Sequence, residues 1–334
     1  MTSFYLNKNG YDPFIDFVKG FCILSVVLTH SLPTVCQDYL LFMLWGGMAV
    51  PLFLLIQVFH AYKTGLDSQK KILSLKIVKR IVIPFLLTLC FIGVVRVLKG
   101  NPINEIVRGF LTGGGGAGSY YPWIYIEFAV LLALIRPFLK RLKIHQIFLC
   151  FLALSILLEY FCSTTAISPW LYRITCIRYV FLFALGIDWV HNGIELDNKR
   201  LFLSIISVCF IVLFQYFNPD LEPLFFHTAW KSFHWVCYFY VAYLLMFVLK
   251  FVYARMSSMG GVNEFMLKCG RFSYEIFLLQ MVVFNFVKKD WFSFGQNKPL
   301  QFALWFLFVN FMSVVPVLVY KDIFAKRLKK NELR

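Results

Sequence analysis

Apolar runs of about 20 residues recur along the whole chain, and this feature constrains its fold more than any other. A helix needs about that many apolar residues to cross the hydrocarbon core of a bilayer. Hydrophobic residues make up 60% of the chain and charged residues only 15%, too few to cover a water-facing surface. The sequence therefore predicts an integral membrane protein. It excludes a cytosolic enzyme, a secreted disulfide scaffold and a nucleic-acid-binding module.

These runs predict an all-α integral membrane protein of about ten transmembrane helices, in a single domain over residues 1–334. Helices are expected because backbone groups in lipid must hydrogen-bond within the segment, and the alternating pattern of a membrane barrel is missing. Pro33 closes the first run and no small-x-small cleavage site accompanies it, so we interpret it as a retained span. The predicted spans lie near 14–33, 40–61, 77–98, 122–140, 145–162, 172–190, 201–218, 231–253, 272–289 and 300–320.

Lys and Arg residues are concentrated in alternate connections, among them 62–80, 136–144 and 250–271. Connections rich in Lys and Arg are retained on the cytoplasmic side of a membrane. Both termini are therefore predicted to be cytoplasmic, as an even number of spans also requires. The net charge of +16 reflects this orientation rather than nucleic-acid binding.

The longest connection on the opposite side, near 99–121, is rich in glycine. It has no Lys followed by Ser or Thr at its end, so it is not a phosphate-binding loop. A flexible external loop is the simple interpretation, and a mobile lid over a substrate opening is the alternative. The nine cysteines show no CxxC spacing, so neither a disulfide framework nor a metal site is predicted.

Three ionisable residues, Asp16, Lys19 and His30, lie in the first predicted span. Each costs on the order of 2.5–3.5 kcal/mol at the centre of a membrane helix. At about 100° per residue they share one helix face, with Asp16 close enough to pair with Lys19. Lys19 and His30 are about 16 Å apart along the axis, so they would line one polar cleft at two depths. A structural interpretation stays open, in which His30 bonds a neighbouring span and Lys19 extends to the interface.

The segment from Tyr11 to His30 resembles the opening of the membrane-bound acyltransferase-3 family. That family has an aspartate, then a basic residue followed directly by glycine, and then a histidine. Ten residues, the glycine included, separate the basic residue from the histidine. Asp16, Lys19-Gly20 and His30 match this pattern, with Lys in the basic position.

Four later segments, 48–56, 76–84, 118–127 and 270–280, resemble successive elements of the same family. Glu127 stands where the family often has Gln, and Gln280 stands where it has His. The resemblance covers nearly the whole chain. The resemblance therefore predicts the standalone form of the family, without an esterase-like domain.

What the resemblance implies is O-acylation, usually O-acetylation, of a glycan bound for the cell surface, such as a lipopolysaccharide or exopolysaccharide. The implied enzyme is a multi-pass protein of the inner, cytoplasmic membrane. Its partners would be the bilayer, an acyl-CoA donor, usually acetyl-CoA, and a polysaccharide or lipid-linked glycan acceptor. Acyl-CoA would be a co-substrate, with no permanently bound cofactor and no metal.

The predicted site residues follow from this chemistry. His30 would act as general base on the acceptor hydroxyl, because imidazole titrates near neutrality, with Lys19 and Asp16 on the same helix face. A covalent acyl-histidine is the competing mechanism. The phosphates of the donor are predicted to bind Lys19 and a cationic cluster that consists of Lys76, Lys79 and Arg80. Membrane orientation alone is the alternative explanation for the charges of this cluster. The residues predicted to bind substrate are Tyr120, Tyr121, Trp123, Glu127, Ser273, Glu275 and Gln280. For the three aromatic residues, a place in the interfacial aromatic belt is the alternative.

Two other classes of function stay open. Ten spans with charged residues at membrane depth also suit a polytopic transporter or flippase for a glycan or acyl carrier. A non-catalytic subunit of a glycan-assembly complex is the third possibility. Neither would transfer label from acetyl-CoA to a glycan, whereas an acyltransferase would.

Overall fold

The computed structural model describes residues 12–40, 42–67, 77–165, 167–195, 197–217, 232–292 and 298–332. Within these ranges the chain is helical and contains no strand, which confirms the predicted all-α fold. A π-helical turn (Val78–Val82) precedes α5, and 3-10 turns lie at Ile177–Tyr179 and Lys289–Phe292. The α-helices are α1 (Pro13–Ser31), α2 (Thr34–Tyr39), α3 (Phe42–Trp45), α4 (Ala49–Asp67), α5 (Ile83–Leu98), α6 (Ile103–Leu111), α7 (Tyr121–Leu139), α8 (Ile144–Thr164), α9 (Pro169–Ile174), α10 (Leu182–Asn192), α11 (Asn198–Phe217), α12 (Ser232–Met256), α13 (Gly260–Arg271), α14 (Ser273–Phe286) and α15 (Lys298–Glu332).

Several of these helices are long and apolar enough to cross a bilayer. Among the described residues, five meet that test by length and composition: Pro13–Ser31, Val78–Leu98, Tyr121–Leu139, Ile144–Cys162 and Lys298–Ile323. Shorter apolar helices occupy Ala49–Lys63 and Ser273–Phe286. The chain is therefore a multi-pass membrane protein, whereas the count of ten spans and the cytoplasmic termini stay predictions.

The apolar run near 172–190 is interrupted instead of forming one continuous span. Helix α9 ends at Ile174, Thr175 is extended, and α10 begins only at Leu182. The N–H of Cys176, inside the interruption, donates to Oε2 of Glu127 at 2.6 Å. A carboxylate on α7 thus satisfies a backbone donor that the broken helix leaves without a helical partner.

The connection near 99–121 is more ordered than the loop expected from its glycines. It contains helix α6 and a turn over residues 113–119 in which Gly113 and Gly115 are buried. Ser119 closes the turn, since its hydroxyl donates to the carbonyl of Gly113 at 2.6 Å and accepts the N–H of Gly116 at 3.2 Å. Gly113 has a φ of 71°, a conformation that favours glycine.

The chain forms two compact units, residues 1–49 with 249–334, and residues 50–248. In the first unit, α1 begins where Asp12 caps the N–H of Phe14 ahead of the helix, and Pro13 occupies its first position. Most of α1 is buried, and its strongest packing is against α13. At the C-terminal end of α1, the side-chain amide of Gln37 donates hydrogen bonds to the carbonyls of Thr29 and Leu32.

Two glycines allow the backbones of α1 and α13 to touch. A Cβ atom at Gly20 would collide with the carbonyl oxygen of Met266, and one at Gly270 would collide with the carbonyl oxygen of Asp16. Small residues at a helix crossing permit this close approach in membrane proteins. The crossing places the N-terminal half of α1, which carries Asp16 and Lys19, directly on α13.

A side chain at this crossing is expected to destabilise the protein strongly. We expect Gly270→Val to lower the free energy of unfolding by about 3 kcal/mol or more, because the obstructing atoms belong to backbone and cannot turn away. Gly260→Val is the matched control at the first residue of α13, where a Cβ meets nothing within 4 Å. Thermal unfolding in detergent measures both. Equal melting temperatures for the two variants would contradict the proposed backbone contact.

The core of the second unit is aromatic around α10. The ring of Phe183 stacks on Phe128 of α7 at 4.4 Å between centroids and on Phe151 of α8 at 5.5 Å. Gly186, one turn further along α10, lies against Val58 of α4. These contacts hold α7, α8 and α4 around the helix that follows the interruption.

Candidate functional site

The predicted pair on α1 is present, and it has a third member. Asp16 is buried, and its Oδ1 accepts from the Nζ of Lys19 at 3.3 Å, which confirms the predicted pair. Oδ2 of Asp16 also faces the Nε of Arg271 at 3.6 Å. One carboxylate thus holds two cations, so the group carries a net positive charge and suits an anionic partner.

His30 lies in the last turn of α1 and is exposed, although most of that helix is buried. Its ring is 6.0 Å from that of Phe284 on α14, and within the described part of the chain no group hydrogen-bonds the imidazole. The neighbouring Ser31 is fixed by the amide of Asn310 at 3.2 Å. The backbone beside His30 is therefore anchored, while its ring nitrogens are available to a substrate.

The helix face between Lys19 and His30 is turned into the protein. Ile23 and Val26, which lie between them on this face, are both buried. The two polar residues are therefore accessible at separate levels of α1, about 16 Å apart along the axis. They form no direct contact, as the spacing predicts.

The three predicted residues of α14 belong to the same unit as Asp16, Lys19 and His30 but differ in their surroundings. Ser273 begins the helix and is half-buried. Glu275 forms an ion pair with Lys321 of α15 at 2.9 Å. Gln280 is fully buried one turn before Phe284, the residue whose ring contacts His30.

The predicted donor-binding cations lie in the second unit. Lys79 and Arg80 are exposed in the π-helical turn that precedes α5, and Arg80 is near enough to act electrostatically on the phenol of Tyr125. Lys76 lies outside the described residues. A single π-helical turn within a helix is frequently associated with function.

The aromatic residues predicted to bind substrate separate into two groups. Tyr121 contacts the rings of Phe53 and Tyr125, and Trp123 contacts that of Phe85, so both pack among neighbouring side chains. Tyr120 instead faces Arg178, whose guanidinium lies 5.3 Å from its ring centroid.

The group around Arg178 is a feature that the sequence did not predict as a site. Arg178 is 1% exposed in the interrupted segment and lies over the rings of Tyr172 and Tyr179 as well as Tyr120. The hydroxyl of Tyr172 donates to the buried carboxylate of Glu159 at 2.8 Å. Residues 172–190 were predicted to form a membrane span from their apolar content alone. An arginine within it was the available signal, since intramembrane cations are functional candidates.

Comparison with known proteins identifies the family. Residues 12–321 match the acyltransferase domain of the acyltransferase-3 family. Comparisons with curated proteins and with solved structures gave no significant match. The matched range holds both α1 with His30 and the interrupted segment with Arg178. Because it spans nearly the whole chain, the protein belongs to the acyltransferase-3 family and is a membrane-bound acyltransferase.

Proposed function

We propose that the protein transfers an acyl group, most often acetyl, from acyl-CoA to a hydroxyl of a polysaccharide or lipid-linked glycan, in the cytoplasmic membrane. The observation that carries this proposal is His30, an accessible imidazole without a hydrogen-bond partner among the described residues, at the end of a buried helix. A free nitrogen at an anchored position is what general-base catalysis of acyl transfer needs.

The proposed step moves one proton and one acyl group. A ring nitrogen of His30 takes the proton of the acceptor hydroxyl as its oxygen bonds to the thioester carbonyl carbon. The carbon–sulfur bond then breaks, and the leaving CoA thiolate takes the proton from His30, which returns the imidazole to its neutral form. The products are an ester on the glycan and free CoA.

Exposed cations are the residues that we propose bind the acyl-CoA donor. Lys79 and Arg80 are exposed and have the charge to bind the phosphates of CoA. The net positive group of Lys19, Arg271 and Asp16 supplies a second anion-attracting position on α1. Tyr120 is our assignment for a contact with the acceptor, because it is half-buried, follows the Gly113–Ser119 turn directly and lies beside Gly113.

Mass analysis of surface glycans from cells with and without the protein tests this function. Acyl esters on the glycan are expected only when the protein is present. The same ester content in cells lacking the protein would contradict glycan acylation. Glycan that fails to reach the surface, rather than reaching it unacylated, would point to the transporter alternative.

Removal of the two donor-side charges is expected to weaken donor binding. We expect the double substitution Lys79→Gln with Arg80→Gln to raise the KM for acyl-CoA by about tenfold or more and to leave kcat nearly unchanged, since a hydrogen bond to a charged group contributes about 1.5–3 kcal/mol. Steady-state kinetics in membrane vesicles measures both constants.

Lys140→Gln with Arg141→Gln is the matched control, because these two cations are exposed and lie at the end of α7. This double substitution removes the same amount of positive charge as the Lys79 and Arg80 variant. If both double variants raised KM equally, the effect would reflect net charge rather than a donor site. An unchanged KM in the Lys79 and Arg80 variant would assign those charges to membrane orientation alone.

A further inference from the structure

We propose that helix α6 is an interfacial helix, which lies at the membrane boundary beside the Leu98 end of α5 and inserts its outer apolar stripe among the acyl chains. The proposed partner is the lipid of that leaflet. This inference is independent of the reaction that the protein catalyses.

The outer stripe consists of Ile103, Val107 and Leu111, which are 65%, 48% and 60% exposed. Their spacing of four residues places them along one side of the helix. The polar residues Asn104, Glu105 and Arg108 are exposed on the adjoining side of the helix. A polar face beside an apolar one is typical of helices that lie in the plane of a membrane surface.

The remaining apolar side chains fix how α6 lies against the protein. Ile106 is buried, and with Phe110 it covers Gly93 of α5. Phe110 also contacts the position of Gly115 in the glycine turn. The helix therefore has a defined inner side, with the exposed outer stripe beside it and the polar residues opposite it.

Continuity with α5 identifies lipid as the partner. The segment Val78–Leu98 is the most apolar of the five candidate spans. Leu87, Phe91, Val94 and Leu98 are exposed along one side of it, as expected of a surface that faces acyl chains. The chain leaves this span at Leu98 and begins α6 at Ile103, so α6 starts at the edge of the bilayer. Three apolar side chains flanked by charges are too few for a stable protein interface.

This position of α6 has a consequence for the glycine turn. Because Phe110 contacts Gly115, a helix held by lipid also supports the turn that leads into Tyr120. The turn is thereby supported from the membrane side and closed internally by Ser119. The turn is therefore held in place and does not act as the mobile lid that its glycines alone suggest.

An environment-sensitive probe on each side of α6 tests the inference. In a full-length background with its native cysteines replaced by serine, NBD is attached to Val107→Cys or to the adjacent Arg108→Cys, and each protein is reconstituted in vesicles. Nitroxide lipids labelled near the headgroup end of the acyl chain are expected to quench the probe at 107 several-fold more than the probe at 108. Leu111→Cys and Glu105→Cys form a second pair, which keeps the test usable if one variant misfolds.

Two results would overturn the inference. Probes at 107 and 111 that are as accessible to water-soluble quencher as those at 105 and 108 would place α6 in solvent. Probes at 107 and 111 that are shielded from water but not quenched by nitroxide lipid would place a protein surface, such as a second copy of the chain, on the stripe.

Discussion

Replacing His30 with alanine is expected to lower the rate of acyl transfer by about 10²–10⁴-fold, the usual contribution of a general base. The imidazole is exposed and the adjacent Ser31 is held by Asn310, so the substitution removes the proposed base without disturbing the anchored backbone. The rate at saturating acyl-CoA and acceptor measures the loss.

His145→Ala is the matched control, because this exposed imidazole on α8 is outside the proposed site. It is expected to retain normal activity at equal membrane abundance. Normal activity in His30→Ala would remove His30 from both the general-base and the acyl-histidine mechanisms. Rapid denaturation at neutral pH during turnover separates those two, because only the covalent mechanism leaves label on the protein, and only when His30 is present.

Replacing Arg200 with alanine is expected to destabilise the protein by about 3–5 kcal/mol, the usual cost of leaving one member of a buried ion pair behind. Arg200 is 6% exposed and its Nη2 donates to Oδ2 of the buried Asp188 at 2.6 Å. Asp188 also accepts from Tyr243 and Asn192, each at 2.7 Å. Loss of Arg200 leaves this carboxylate buried without its counter-charge.

Thermal unfolding in detergent tests this expectation, with Lys199→Ala as the control for an exposed neighbouring cation. Substituting Asp188 as well is expected to cost less than the sum of the two single substitutions, because the uncompensated charge is then gone. A melting temperature for Arg200→Ala equal to that of Lys199→Ala would contradict the buried pair.

The local features of α1 could be predicted from sequence because they depend on residues within one or two helical turns. The Asp16–Lys19 pair and the distance from Lys19 to His30 follow from helix geometry alone. Arg271, the second cation on Asp16, could not be predicted in this way. It reaches Asp16 only because Gly20 and Gly270 let two distant segments cross at backbone contact.

The interrupted segment shows a second limit of sequence interpretation. Average hydropathy over 172–190 predicted a continuous span, and the residues of that run are indeed largely buried. The break depends on Glu127 accepting the N–H of Cys176 across 49 positions. Arg178 lies over the ring of Tyr120, which comes from a distant part of the chain, as well as over the nearby rings of Tyr172 and Tyr179. Such long-range partners leave no periodic signal.

Transfer of label by the purified protein tests the central claim most directly. The chain is reconstituted in vesicles with an acceptor glycan and acetyl-CoA labelled in its acetyl group. We predict that label appears on the glycan as an ester, that free CoA is released in equal amount, and that His30→Ala lowers the rate of both by about 10²–10⁴-fold. Glycan that stays unlabelled while acetyl-CoA remains intact, with the glycan crossing the membrane, would contradict the account.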